Sequence, residues 1–283
     1  MISIITDSTC DLPEAELNAL KIKRVPLYVH FNNEIYKDWE EITPKELVEG
    51  VRSGADIPST SQPSPVDFKN AYDEVIANGA SEILVITISS GLSGTFQSAN
   101  VAAADLDFPI SIFDSKSASL GIAGLLRKAA ILRDQEVTMA EIISKLEKIR
   151  DSNHLCFTVE NLDYLQKNGR IGGAAALVGG LLNIKPILGV VDGKVDKLGR
   201  ARGEKKAFKE IVKNILQYRE KHEGKMQLSF LHVQKPEAAQ KLRDAIVKSG
   251  IEFEDMGDYE IGTVIASHVG PGVYGTYANI DPE

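Results

Sequence analysis

Two hydroxyl-rich stretches carry the side chains most able to do chemistry: Thr60-Ser61-Gln62-Pro63-Ser64 and Ser89-Ser90-Gly91-Leu92-Ser93-Gly94-Thr95. Each precedes a helical pattern, and the second follows the buried-strand run Ile83-Leu84-Val85-Ile86-Thr87-Ile88. A strand that gives way to glycines and hydroxyls and then to a helix builds an anion site. The free N–H groups of the first helical turn and the positive end of the helix dipole both favour negative charge. Ser93 has three uses in such a place: holding an anion, capping the helix, or attacking a carbonyl, in that order of preference. Attack draws on Gly91-Leu92-Ser93-Gly94-Thr95, which matches the G-x-S-x-G nucleophile elbow except that Thr95 replaces the last glycine. A strained elbow needs small neighbours, so Thr95 counts against it. Thr60 and Ser61 lie between Pro58 and Pro63, which bias their neighbours toward extended backbone. A stiff loop of this kind presents ordered donors to a carboxylate or phosphate at low entropic cost. Taken alone, it reads more readily as a capped loop before the Pro65 helix than as a ligand site, and the two stretches together shift the balance toward a ligand.

Further along, His268 stands in Ser267-His268-Val269-Gly270-Pro271-Gly272, placed by the pattern directly after an apolar strand. There it would donate to an anion, orient a hydroxyl, or serve only the fold. As a base for Ser93 it would need an acid, and Asp255 or Asp258 gives the serine–acid–histidine order of an α/β hydrolase. Arg170, in Asn168-Gly169-Arg170-Ile171-Gly172-Gly173, would complement an anion with its bidentate fork or stand as a surface charge at a helix end. Ala174-Ala175-Ala176-Leu177-Val178-Gly179-Gly180-Leu181-Leu182 reads as a helix of small side chains, with room for another helix or for a slender apolar ligand. An anion clamp and a roomy apolar helix together suit an amphipathic ligand, to which each buried methylene adds about 0.8 kcal/mol. Nucleoside triphosphates are excluded at the Ser93 loop, which has no P-loop lysine. Asp7, where a dinucleotide fold would place glycine, would repel a pyrophosphate.

The elements that must position these residues alternate. Strands are predicted at Ile2–Thr6, Val25–Phe31, Ile83–Ile88 and Ile110–Phe113. Helices are predicted from Pro13, Thr43-Pro44, Ser64-Pro65, just after Ser93, just after Ser115, and from Thr138 to about Arg150. Ser/Thr-Pro followed by an acid supplies an N-cap, a proline at the first helical position and a partner for the dipole. Short buried strands between amphipathic helices imply a mainly parallel sheet flanked by helices. A second, smaller mixed α/β unit begins near residue 153, giving an expected division into 1–152 and 153–283. It contains strands at His154–Thr158, Ile184–Val191, Lys194–Leu198, Gln227–Val233, Glu252–Met256 and Thr263–Ser267. Asp192-Gly193 makes a hairpin turn, and helices cover Gly203–Lys221 and start at Pro236.

The chain of 283 residues has a net charge of −8 with acids and bases mixed, which argues against a nucleic-acid partner. Cys10 and Cys156 are its only cysteines and show no metal-ligand spacing, so no metal, no disulfide and a reducing cytoplasm are expected. The amino terminus lacks the basic flank of a signal peptide, and Ala174–Leu188 is too short and interrupted to span a bilayer.

The ordered set Thr6-Asp7-Ser8-Thr9, Thr60-Ser61-Gln62-Pro63-Ser64, Ser90-Gly91-Leu92-Ser93-Gly94-Thr95, Asp114-Ser115, Asn168-Gly169-Arg170-Ile171 and His268-Val269-Gly270-Pro271-Gly272 resembles the bacterial DegV family over the whole chain. The resemblance implies a long-chain fatty acid, of palmitate type, bound in a tunnel between two α/β domains. It also implies a carrier with no catalytic residues or cofactor of its own, in cytoplasmic phospholipid metabolism and with at most transient membrane contact. The carrier would present the acyl carboxylate to a separate fatty acid kinase subunit, which makes the acyl phosphate. By the same resemblance Thr60 and Ser93 hold the carboxylate with Gly94 N–H nearby, and Ser61, His268 and Arg170 complete the polar network. The alternative is a serine esterase using Ser93 and His268.

Overall fold

The computed structural model describes residues 1–178 and 184–281. The first part of the chain runs β1 (Ile2–Asp7), α1 (Glu14–Ala19), β2 (Ile22–Val25), β3 (Tyr28–Phe31), β4 (Glu34–Lys37), α2 (Pro44–Arg52) and β5 (Ser59–Ser61). It continues through α3 (Pro65–Ala77), β6 (Glu82–Thr87), α4 (Thr95–Ala104), β7 (Ile110–Asp114), α5 (Leu120–Asp134) and α6 (Met139–Ser152). Then follow β8 (His154–Thr158), α7 (Asp163–Lys167), β9 (Ile184–Val191), β10 (Lys194–Arg202) and α8 (Glu204–Lys221). β11 (Lys225–His232), α9 (Pro236–Lys248), β12 (Glu254–Glu260), α10 (Thr263–Val269) and β13 (Tyr274–Asp281) complete the order.

Local chemistry starts several helices where the sequence indicates. Thr43 with Glu46, Ser64 with Asp67 and Thr138 with Glu141 form reciprocal capping boxes, and Pro44 and Pro65 open their helices. Four parallel strands form a sheet in the order β2-β1-β6-β7. Its side chains alternate strictly. Ile5, Ile83 and Val85 pack against α3 and α4 through Phe68, Tyr72 and Ala99, while Ile4, Leu84 and Ile86 face the core of α5 and α6. A six-stranded mixed sheet, β10-β9-β8-β13-β11-β12, draws on residues 154–281 and buries one face under α8 and α9. From its other face Leu155, Phe157, Leu231 and Tyr277 join the same core as α5 and α6. Two α/β layers thus share one pair of helices. A small antiparallel sheet, β4-β3-β5, carries the Thr60 stretch, with Thr60 opposite Val29.

Five expectations need correction. Val25–Phe31 is two strands in two sheets, broken at Pro26, which has no N–H for a ladder. The helix expected just after Ser115 starts at Leu120, following a loop in which Ser119 has a φ of 55°. Thr263–Ser267 is the helix α10 and not a strand. Its β-branched residues favour a strand in isolation, but the Asp38 carboxylate accepts from Thr263 N (3.0 Å), Val264 N (3.3 Å) and Thr263 Oγ1, which fixes a helical start. Gly172–Leu177 forms a 3₁₀ turn and no roomy α-helix, since Gly172 turns left-handed (φ 49°) where it meets the Val195 carbonyl; Gly179-Gly180-Leu181-Leu182 lie outside the described residues. Finally, β13, a central strand, was not expected at all, nor were β4 and β5.

Candidate functional site

The parallel sheet changes direction of growth at β1, which lies between β2 and β6, and ligands of open α/β sheets bind beyond the carboxyl ends of strands at such a point. Here Asp7 at the end of β1 accepts from Ile88 N at 2.7 Å and Thr9 N at 3.0 Å, bracing the ends of β1 and β6 together. Burial pushes its carboxyl up to about 6 in spite of those donors. The Ser89–Thr95 loop leaves β6 from that braced end. Opposite it, the Asp192-Gly193 turn between β9 and β10 docks on the loop, Ser89 Oγ donating to Gly193 O at 2.7 Å. Both turn residues have positive φ, as an Asp-Gly hairpin requires.

Between the two layers lies a cavity of about 350 Å³. Thr60, Ser61, Gln62, Ser93, Ser119, Arg170 and His268 supply its polar lining, and residues such as Leu27, Ile88, Phe157, Val190, Ile265 and Val273 make the rest apolar. Five of the six residues expected at the site therefore line one cavity. The sixth, Gly94, caps α4 beside it, and its N–H finds no protein acceptor among the described residues. A Cβ at Gly94 would collide with the Gln62 amide, whose Nε2 donates to Ser98 Oγ at 3.1 Å, so glycine allows these two loops to close on each other.

Each hydroxyl has a distinct setting. Thr60 Oγ1 and His268 Nε2 are 2.7 Å apart, a contact that joins β5 to α10 across 208 residues of sequence. Ser61 Oγ lies 2.9 Å from His30 Nε2 on β3. Ser93 Oγ lies 2.8 Å from Thr95 Oγ1 and accepts from Thr95 N at 3.3 Å, so it also helps to start α4. Burial, and then the nearby Arg170 guanidinium, hold the His268 imidazole down at about 4; at neutral pH it is uncharged. Arg170 is exposed at the rim, its Nε donating to Leu92 O at 3.0 Å and its Nη1 to Asn168 O at 2.7 Å.

A hydrolase triad is not assembled. His268 Nε2 meets Thr60, and its Nδ1 is buried without a partner among the described residues. Asp255 and Asp258 are paired instead with Arg243, at 2.8 and 2.6 Å. Ser93 thus has no oriented base. Sequence reasoning also missed contributors. Gln62 and Asn168 carry no signal of a role in the sequence, and Asp7 reads there only as a charge hostile to pyrophosphate. Their roles rest on partners distant in sequence, which no local signal reveals.

The family described as uncharacterised protein, DegV family, matches residues 1–279. The chain belongs to the DegV family. A DegV domain-containing protein of Deinococcus radiodurans is 43% identical over 274 residues, covering 97% of this chain and 96% of that protein. Among solved DegV structures, one from Thermus thermophilus, presented as fatty acid binding, superposes with a TM-score of 0.95 at 42% identity over 99% of both chains. A stearic acid-binding protein from Eubacterium ventriosum superposes with a TM-score of 0.89 at 26% identity, again over 99% of each chain. The two-domain α/β architecture is that of these DegV neighbours. Among the described residues, no helix is long and apolar enough to cross a membrane.

Proposed function

We propose that this chain binds a long-chain fatty acid and presents its carboxylate to a separate kinase. The observation that carries the binding reading is the cavity's mixed lining. Hydroxyls and an imidazole from Thr60, Ser61, Ser93 and His268 share it with a majority of apolar side chains, drawn from β8 to β11, α10 and the strand-flanking residues Leu27 and Ile88. The relatives solved with fatty acids point the same way.

In this reading the carboxylate accepts hydrogen bonds from Thr60 Oγ1 and Ser93 Oγ, with Gly94 N–H beside them. Thr60 has a single hydroxyl proton. If that proton goes to the ligand, the 2.7 Å contact requires His268 Nε2–H to donate to Thr60, which fixes the imidazole tautomer. The chain His268 Nε2–H to Thr60 O–H to carboxylate is polarised in one direction and strengthens the last bond. Ser61 and Arg170 belong to the surrounding network, Arg170 as the one cation among the polar lining residues. Holding the anion by neutral donors leaves its oxygens able to accept a phosphoryl group. Phosphorylation by a kinase subunit, and with it a place in phospholipid metabolism, follows from the family resemblance. We place the division between the two units at residue 152.

Native mass spectrometry of the protein purified from bacteria tests the binding claim. One fatty acid per chain, lost on delipidation and regained on adding stearate, is the expected result. A protein that stays empty with stearate in excess overturns it.

A further inference from the structure

Asn168 ends α7 and touches none of the cavity, yet its contacts converge on the residues that shape the polar lining. Its Nδ2 donates to two backbone carbonyls, Pro58 O at 3.1 Å and Ser267 O at 2.9 Å. Only the NH₂ side of the amide can donate to both, so the amide's orientation is determined. Pro58 lies two residues before Thr60, and Ser267 immediately precedes His268. The main chain of Asn168 takes part as well. Its carbonyl accepts from Arg170 Nη1, and Arg170 Nε donates in turn to Leu92 O, the residue before Ser93. One three-residue segment therefore ties together the strand, the helix and the loop that carry Thr60, His268 and Ser93.

We infer that Asn168 is a positioning residue of the carboxylate site: its amide sets the separation of Thr60 and His268 by bridging the backbone beside each. The inference rests on the fatty-acid reading above for its effect on binding, but not for its geometry. Two donors with separate acceptors are what a carboxamide supplies and a carboxylate or methyl does not. Without the bridge, the Pro58–Ser61 stretch and α10 lose their shared anchor. The 2.7 Å Thr60–His268 contact then lengthens, and the donors no longer meet the ligand in a preset geometry. Apolar lining residues on β8, β9 and β11 lie on elements to which the Asn168 amide makes no hydrogen bond.

The test compares Asn168→Ala with the parent protein by two readouts, after circular dichroism and melting confirm the fold. The first is the ratio of affinities for stearate and octadecanol, which share the alkyl chain. The second is the NMR titration of the His268 ring in ligand-free protein. The ratio should fall at least fivefold, and the imidazole should titrate upward from about 4 toward its ordinary 6.5 as the ring loosens. An unchanged ratio with an unchanged His268 titration overturns the inference. Should Asn168→Ala not fold, Asn168→Ser carries the same two readouts. If the parent protein binds neither lipid, the fatty-acid reading falls, while the ligand-free titration alone still decides the role of Asn168.

Discussion

Replacing Thr60 with valine removes one hydroxyl and little else, because valine keeps the β-branched shape that suits a strand. Thr60 sits in β5, paired with Val29 of β3, and its Oγ1 lies 2.7 Å from His268 Nε2. In the ligand-free protein the substitution deletes that bond and costs about 1 kcal/mol of stability. The same loss occurs in the complex, so it cancels from the affinity. What remains is the hydroxyl's own bond to the carboxylate, a charge-assisted bond worth about 1.5–3 kcal/mol, or roughly 10- to 150-fold in Kd. Octadecanol, which reaches Thr60 only through a neutral hydrogen bond, should lose about 0.5–1.5 kcal/mol. The preference for acid over alcohol therefore falls by about 1–1.5 kcal/mol, some five- to tenfold. Isothermal titration with both lipids at pH 8, where the acid is ionised, measures it. Because Thr60 and His268 touch, Thr60→Val and His268→Phe should combine less than additively. Stearate affinity within twofold of the parent, or equal losses for acid and alcohol, would refute the reasoning.

Three other perturbations probe the surroundings. Gly94→Ala should displace the Gln62 amide and its bond to Ser98, weakening stearate binding about three- to tenfold at unchanged fold, read by the same titration. In α5, Gly124→Ala would gain helix propensity elsewhere, but a Cβ here comes within 2.5 Å of the buried Tyr277 hydroxyl, which has no hydrogen-bond partner among the described residues. A loss of about 1–3 kcal/mol in denaturant unfolding is expected, and Tyr277→Phe on top should recover only part of it, because ring atoms Cε1 and Cζ would still lie 2.7 and 2.9 Å from the new Cβ. The stacking of His154 on Tyr218 gives a pH prediction. Burial first, and then His222 and Lys221, hold this imidazole at about 4 against an ordinary 6.5. Between those values the unfolded chain binds the proton more readily, so His154 takes stability away as pH falls from 6.5 to 4. Asp7, raised from 3.8 to about 6, acts in the opposite sense over its own window, since there the folded state binds the proton. Thermal melts should therefore show His154→Phe less destabilised than the parent on going from pH 7 to pH 4.5; parallel curves would count against the burial argument.

Which features were legible follows from the range of the interactions that make them. Helix starts at Thr43, Ser64 and Thr138 are fixed by residues three positions apart, and each was predicted. The hydroxyl loops and Arg170, which line the cavity, stand out in the sequence because serine, threonine, glycine and arginine are informative by type. By contrast, α10 owes its start to Asp38, some 225 residues earlier, so its β-branched run alone reads as a strand. Strand β13 escaped for a related reason. Gly275 lowers its propensity, yet that glycine lets the backbone approach β8, where a Cβ would strike the Cys156 carbonyl. His268 lines the cavity from the helix α10 and not from the strand end that the sequence suggests. Asn168 has nothing in its neighbourhood of sequence to suggest that it bridges Pro58 and Ser267.

A crystal structure of the protein with bound stearate tests the central claim most directly. The account predicts one carboxylate oxygen within hydrogen-bonding distance of Thr60 Oγ1, the other near Ser93 Oγ and Gly94 N, and the alkyl chain running between the two sheets past Ile88 and Phe157. A chain bound in the reverse direction, or a carboxylate outside the Thr60–Ser93–His268 cluster, would contradict it.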